Sequence, residues 1–274
     1  RVDLLNGNVT REWLKFCVNI QLLRLIDQAH GGVGLKHVTK GAVQSVQIPL
    51  PPLEEQKRIA GILDAADILR AKRREALARL DDLLQSTFLD MFGDPVTNPK
   101  GWEEGLIGDL LESANYGTSK KADPNLGAYP VLRMNNITYS GEWNFTDLKY
   151  IDLEEKDLPK HLVHKGQILF NRTNSKELVG KTAVFRENEP MAFAGYLVRA
   201  IMNDRNDPEY LGAFMNTPQI KKYLQNKCNN IVGMANINAK KFQKIPIPLP
   251  PLDLQQRFAE IVSSVEEQKA KMRK

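Results

Sequence analysis

Side chains with planar, forked ends that can pair with nucleic-acid base edges, chiefly Arg, Asn and Gln, gather in three stretches of this chain. The first is Asn115-Tyr116-Gly117-Thr118-Ser119-Lys120-Lys121, a polar loop with a glycine and two adjacent cations. The second, Asn171-Arg172-Thr173-Asn174-Ser175-Lys176, follows an apolar run. The third holds Asn229, Asn230, Asn236, Asn238, Lys240 and Lys241, just ahead of a proline-rich segment. Lys120, Lys121, Lys240 and Lys241 are point charges, better suited to gripping phosphate than to reading a base. Taken singly, each stretch also reads as an ordinary solvated loop.

Other chemistries find weaker support. Leu50-Pro51-Pro52-Leu53 has the paired prolines of an amino-methyltransferase motif, but lacks the polar residue that holds the target amine and the aromatic that stacks on the base. Gly180-Lys181-Thr182 looks like the end of a phosphate-binding loop, yet Ser175 stands where that motif needs its first glycine; a strand entrance is the better reading. Asp152, Glu154 and Lys156 have a spacing found in nucleases, which acid-rich turns produce as well. His30, His37, His161 and His164 make no zinc spacing with Cys17 or Cys228. The two cysteines lie far apart without a Cys-x-x-Cys pattern, so reduced, buried thiols are expected. The expectation is a chain with no catalytic residue, no metal site and no cofactor.

Composition agrees with a polyanionic partner without requiring one. The 274 residues carry a net charge of +5 and a pI near 9.0, a mild basic excess. Hydrophobic residues make up 42% and charged residues 26%, as in a globular protein able to bury a core. Nothing resembles a signal peptide or a run of about 18 apolar residues, so a cytoplasmic protein away from membranes is expected. The chain opens at Arg1, not Met, and so reads as a fragment or one lacking its leader.

The elements that must position these groups are organised by a repeat. Ile48-Pro49-Leu50-Pro51-Pro52-Leu53-Glu54-Glu55-Gln56-Lys57-Arg58-Ile59-Ala60 returns as Ile247-Pro248-Leu249-Pro250-Pro251-Leu252-Asp253-Leu254-Gln255-Gln256-Arg257-Phe258-Ala259, a constant offset of 199 residues. Upstream, Val33-Gly34 matches Val232-Gly233, Val38 matches Ile237, Gln44 matches Gln243 and Val46 matches Ile245. Glu12-Trp13-Leu14 resembles Glu209-Tyr210-Leu211 after a short gap. So long a period means a duplicated domain, not a solenoid. In each copy the prolines forbid helix upstream, and Pro52 or Pro251 can occupy a first helical turn, with acids following at the positive helix end.

The first helix is expected over 53–91, ended by Gly93-Asp94-Pro95. Ile59, Ile62, Ala66, Leu69, Ala76, Leu80, Leu83 and Leu84 give it one apolar stripe. At 1.5 Å per residue it would be roughly 58 Å long, apt for a spacer. The second helix is expected from Leu252 to Lys274, with Ile261, Val262, Val265 and Gln268 as its stripe. Single-striped long helices invite an antiparallel, coiled-coil-like pairing. Between them, 129–133, 167–170, 182–185 and 193–198 read as strands and 208–217 and 218–225 as helices. The result is an α+β chain: 1–50 as the tail of a first globular domain, 51–93 as a spacer helix, 94–250 as a second, complete domain, and 251–274 as the start of a distal helix. Arg70, Lys72, Arg73, Arg74 and Arg79 read as a solvated helix face.

These residues, in this order, resemble type I restriction-modification specificity subunits. The resemblance rests on Gly101-Trp102, on Tyr129-Pro130-Val131-Leu132-Arg133-Met134-Asn135-Asn136-Ile137, on Gln167-Ile168-Leu169-Phe170-Asn171-Arg172-Thr173 and on the duplicated Pro-Leu-Pro-Pro-Leu joint. It implies two target-recognition domains in a pseudo-two-fold repeat, each followed by helix, with loops placed in the major groove of double-stranded DNA. It adds Arg133 and Asn135 to the DNA-contacting candidates Tyr116, Thr118, Ser119, Lys120, Lys121, Asn171, Arg172, Thr173, Asn174, Ser175, Lys176, Asn236, Asn238, Lys240 and Lys241. It also implies two modification subunits, which carry the methyltransferase chemistry, and restriction subunits in the full complex. Two readings compete: a coiled-coil adaptor, which leaves the duplicated domains without a task, and a methyltransferase or nuclease in its own right.

Overall fold

The structure, a computed structural model, describes residues 7–27, 38–175, 177–227, 229–231 and 234–273. The chain divides into two compact units, Arg1–Ala78 and Arg79–Lys274. His30, His37, Lys176 and Cys228 lie outside the described residues, as do the aligned Val33-Gly34 and Val232-Gly233.

The first unit is helical: α1 (Arg11–Ile20), α2 (Leu22–Asp27), α3 (Lys40–Gln44) and the leading part of α4 (Leu53–Phe92). Thr10 caps α1 by accepting the Trp13 N–H on its Oγ1 at 3.2 Å. Trp13, Phe16, Cys17 and Leu25 are buried, and burial pushes the Cys17 thiol pKa up. The proline joint is held by two side chains. The Trp13 indole donates to the Pro49 carbonyl at 2.9 Å. Gln56, wholly buried, accepts the Thr10 N–H at 2.9 Å and donates to the carbonyls of Asn8 and Pro51 at 2.8 Å each. The Pro52 carbonyl accepts the first helical bond, from the Gln56 N–H. Pro52 therefore stands at the helix cap, one position earlier than expected.

The second unit is α+β. In chain order its elements are β1 (Glu103–Leu106), β2 (Leu111–Tyr116), β3 (Tyr129–Leu132), β4 (Lys149–Ile151), α5 (Leu158–His161) and β5 (Leu162–Val163). There follow β6 (Ile168–Asn171), β7 (Thr173–Asn174), β8 (Thr182–Val184), β9 (Met191–Phe193), β10 (Leu197–Met202), α6 (Pro208–Asn216) and α7 (Pro218–Lys227). Last come β11 (Asn229–Ile231), β12 (Met234–Asn236), α8 (Ala239–Gln243), β13 (Pro246–Leu249) and α9 (Leu252–Arg273).

An antiparallel sheet, β2-β10-β6-β8, carries the core, and β4-β3-β9-β5 forms a second sheet in which β3 and β9 run parallel. Leu132, Val163, Leu169, Phe185, Phe193 and Leu197 pack together as one core cluster. Alternation along β6 sends Ile168 and Phe170 into a larger cluster with Phe88, Phe92, Tyr210, Phe242 and Phe258. That cluster seats the end of α4 against α9: Phe258 meets Phe92 at 5.5 Å and Phe88 at 5.7 Å. Further along, the Lys269 ammonium pairs with Asp81. Early residues of α9 thus meet late residues of α4, so these segments run antiparallel. Gly93, at φ 84°, ends α4 in the left-handed region as its sequence suggests.

Two expectations need correction. Residues 193–198 are not one strand: β9 stops at Phe193 and β10 starts at Leu197, because the backbone of 193–195 turns aside to bond Thr118. The helix stripes also differ. Ile62 and Leu69 of α4 are 56% and 67% exposed and Leu83 is exposed too, so the expected stripe is not covered along its length. On α9 the buried positions after Gln255 are Phe258, Val262, Val265 and Lys269, not Gln268. Four-three-four spacing carries the buried face to 269, where the ammonium is neutralised by Asp81, Glu142 and Glu266. Arg70, Lys72, Arg73, Arg74 and Arg79 are exposed on α4, as expected.

Candidate nucleic-acid interface

Strands that end side by side gather the three polar stretches of the second unit. β2 ends at Tyr116 and lies beside β10; β6 pairs with the other edge of β10 and continues, past Arg172, into β7. β12 pairs with β7 in register, Asn236 opposite Thr173 and Ala235 opposite Asn174. Residues far apart in sequence therefore share one end of the sheets.

Arg172 and Tyr116 form the centre of this surface. The guanidinium lies 5.0 Å from the centroid of the Tyr116 ring, while Arg172 Nε donates to the Gly195 carbonyl at 3.2 Å. The Tyr116 hydroxyl accepts the Ala239 N–H at 2.9 Å, at the start of α8. The Ile237 N–H donates to the Arg172 carbonyl, and Asn236 Nδ2 donates to Thr173 Oγ1 at 3.0 Å. One arginine is thus stacked, aimed and backed by all three stretches. Its fork keeps donors that no described contact uses, the arrangement suited to bidentate pairing with a guanine edge.

The loop after β2 is pressed onto its support. The Thr118 N–H donates to the Phe193 carbonyl and the Gly195 N–H to the Thr118 carbonyl, at 2.9 and 2.8 Å. A Cβ on Gly117 would sit 2.2 Å from the Phe193 carbonyl oxygen, so no larger residue fits there. Lys120 and Lys121 beyond it are exposed, Lys120 donating to the Asp152 carbonyl at 2.7 Å. Ser119, Lys240 and Lys241 are exposed as well. Asn238 spends its Oδ1 capping α8 through the Lys241 N–H.

Some candidates are placed differently. Asn171 is fully buried and Thr173 nearly so, and the Asn171 Oδ1 accepts the Thr173 N–H. Both shape the Arg172 loop from inside and present no edge outward. Asn174 is half-buried and its Oδ1 accepts the Ser175 N–H at 2.9 Å. Arg133 and Asn135 are turned to Asp147, Arg133 as an ion pair at 2.8 Å. No described contact joins them to the Arg172 surface. Asn229 and Asn230 lie on β11, behind β12.

Two lysines hold the frame, Lys181 at the strand entrance read from the sequence and Lys221, which carried no signal there. Lys181, at the entrance to β8, donates to the carbonyls of Met134 and Ile137 at 2.7 and 2.6 Å. Lys221 of α7 donates to the Gly180 carbonyl at 3.0 Å and lies 4.8 Å from the Tyr139 ring. Burial, with the nearby Lys181 charge, brings the Lys221 pKa down to about 7.

A profile of the family described as "Type I restriction modification DNA specificity domain" matches residues 6–79 and 99–274. The chain belongs to this family. Each matched stretch contains one copy of the proline joint. Among relatives, the type I restriction enzyme EcoKI specificity subunit of Escherichia coli strain K12 is 24% identical over 257 residues, 88% of this chain and 54% of that protein. The MjaVIII specificity subunit of Methanocaldococcus jannaschii is 25% identical over 255 residues, 86% and 59% of the two chains. The chain therefore spans little more than half the length of these relatives. A crystal structure of a type I restriction-modification system S subunit from M. genitalium shares the α+β fold, with a TM-score of 0.59 at 15% identity, over 99% of this chain and 70% of that one. Specificity-domain membership thus fits the repeat, and the Arg172 surface lies within its second matched stretch.

Proposed function

We propose that this specificity-domain chain reads double-stranded DNA and directs partner subunits to it, without carrying out chemistry of its own. One observation carries the reading: three separate polar stretches converge on Arg172, stacked on Tyr116 and anchored through Nε, with terminal donors that no contact among the described residues uses. The exposed cations Lys120, Lys121, Lys240 and Lys241 flank that centre and would grip phosphate. In this reading the Arg172 surface reads one half of a split target and α4, about 60 Å long at 1.5 Å per residue, sets the gap between halves. Two modification subunits would supply methylation, restriction subunits would join them for cleavage, and the chain would need no cofactor. The reading places the chain with its DNA, in the cytoplasm. No helix among the described residues is long and apolar enough to cross a membrane.

The test is equilibrium binding of the chain to short DNA duplexes over a salt series. The expected result is binding that weakens steeply as salt rises, and a loss of sequence preference of about 1–3 kcal/mol in Arg172→Ala. Binding that ignores salt, or an Arg172→Ala chain with unaltered preference, would remove the reading.

A further inference from the structure

Beside the β2 loop lies a cavity of about 400 Å³. Asn115, Tyr116, Thr118 and Ser119 line it together with Lys160 and His161, from the end of α5. No carboxylate lines it. Lys160 is exposed, and no described contact engages its ammonium.

Behind the cavity stands Arg199 of β10, directly across from Asn115 in the antiparallel register. Arg199 is 4% exposed. Its guanidinium donates to the carbonyls of Pro159 and Leu162, on either side of Lys160-His161, and lies 5.6 Å from the Phe193 ring. Among the described residues it has no carboxylate partner, an arrangement that leaves a buried positive charge uncompensated. Arg199 Nε and His161 Nδ1 are both buried without a hydrogen-bond partner. Burial first, then the Lys160 and Arg199 charges, lower the His161 pKa against the opposing pull of Asp157 at the head of α5, so the imidazole offers hydrogen bonds, not charge. Lys160, His161 and the hydroxyls of Thr118 and Ser119 thus line an opening with room for a phosphate and its sugar, and the uncompensated Arg199 charge is bonded to the backbone on either side of Lys160-His161.

We propose that this cavity seats a backbone phosphate of duplex DNA, held by Lys160 and His161 together with Thr118 and Ser119. The inference rests on the DNA-reading function and deepens it, by assigning a phosphate anchor next to the base-reading Arg172. Held there, the backbone would fix the duplex in register, since phosphate contacts position whereas base contacts specify.

The experiment is the binding of Lys160→Gln, His161→Ala and wild-type chains to a short mixed-sequence duplex over a salt series, with circular dichroism to show that each folds. Lys160 is exposed, so its variant should fold normally. The slope of log affinity against log salt is expected to fall by about 0.9 in Lys160→Gln, the change for one phosphate no longer neutralised. His161→Ala is expected to weaken binding as well. The loss should be alike on every duplex sequence. An unchanged slope and affinity in both variants, while Arg172→Ala still alters preference, overturns the seat and leaves DNA reading standing. A loss confined to one sequence with the slope intact also overturns it, because the cavity would then be reading a base. A wild-type chain with no salt-dependent binding takes down both.

Discussion

The two copies of the proline joint are built from the same bonds but not in the same surroundings. In the second copy Gln255 accepts the Asp207 N–H at 2.9 Å and donates to the Pro250 carbonyl at 2.9 Å. Gln56 does the same with Thr10 and Pro51. Asp207 caps α6 as Thr10 caps α1, and the Tyr210 hydroxyl donates to the Pro248 carbonyl where the Trp13 indole donates to Pro49. Thr39 and Asn238 cap the matching short helices α3 and α8. Yet Ile-Pro-Leu lies in a strand only in the second copy, where β13 pairs residue by residue with β1. Residues 46–52 of the first copy form no strand, and Leu50 is 61% exposed. The glutamine latch needs only the head of the helix 46 to 48 residues upstream, which both copies keep, whereas the strand requires a pairing strand, which is seen only in the second copy.

The largest test of that contrast is truncation of the residue that follows the latch by three. Phe258→Ala removes a fully buried ring from the aromatic cluster and should cost about 3–5 kcal/mol in denaturant unfolding of the chain. The matching Ile59→Ala, at a half-buried site, should cost clearly less. Equal losses would mean that both joints are packed alike.

A pH series comes next, because it addresses an ammonium buried in the second unit. The folded state holds the Lys221 pKa near 7, below its ordinary 10.5. Between those values the unfolded chain binds the proton and the folded chain releases it, so stability should rise with pH from about 7 and level off near 10.5. Lys221→Met should flatten that rise and leave the first unit untouched.

The latch itself should matter about equally in both copies. Gln56→Ala and Gln255→Ala each remove a buried amide's bonds to backbone groups that are at most partly exposed, at about 1–3 kcal/mol, and unequal losses would break the equivalence. The smallest effect is expected from Tyr210→Phe, about 1 kcal/mol for one hydrogen bond, measured by the shift in denaturation midpoint.

The helices were legible in the sequence because their signals are local: proline at the entry, glycine at the exit, a three-four apolar spacing between. The repeat was legible through Gln56 and Gln255 without their role being visible, since a latch is defined by the backbone it reaches. The break between β9 and β10 was hidden, because it depends on Thr118, some 75 residues earlier, docking against residues 193–195. The polar clusters could be found by residue type. Which of their members face outward could not, since Asn171 and Arg172 are neighbours with opposite fates, and only the pairing of β6, β7 and β12 separates them. Lys160 carried no signal and His161 only the absence of a zinc spacing, and the carbonyls on either side of them meet Arg199 only in the folded chain.

The central claim is that the Arg172 surface reads one half of a split target. Mapping methylated sites in cells that carry the complete system, with wild-type or Arg172→Ala chain, tests it most directly. The expected result is a motif that loosens at one half-site while the other half and the gap between them stay fixed. An unchanged motif at undiminished methylation, or one loosened equally in both halves, would contradict it.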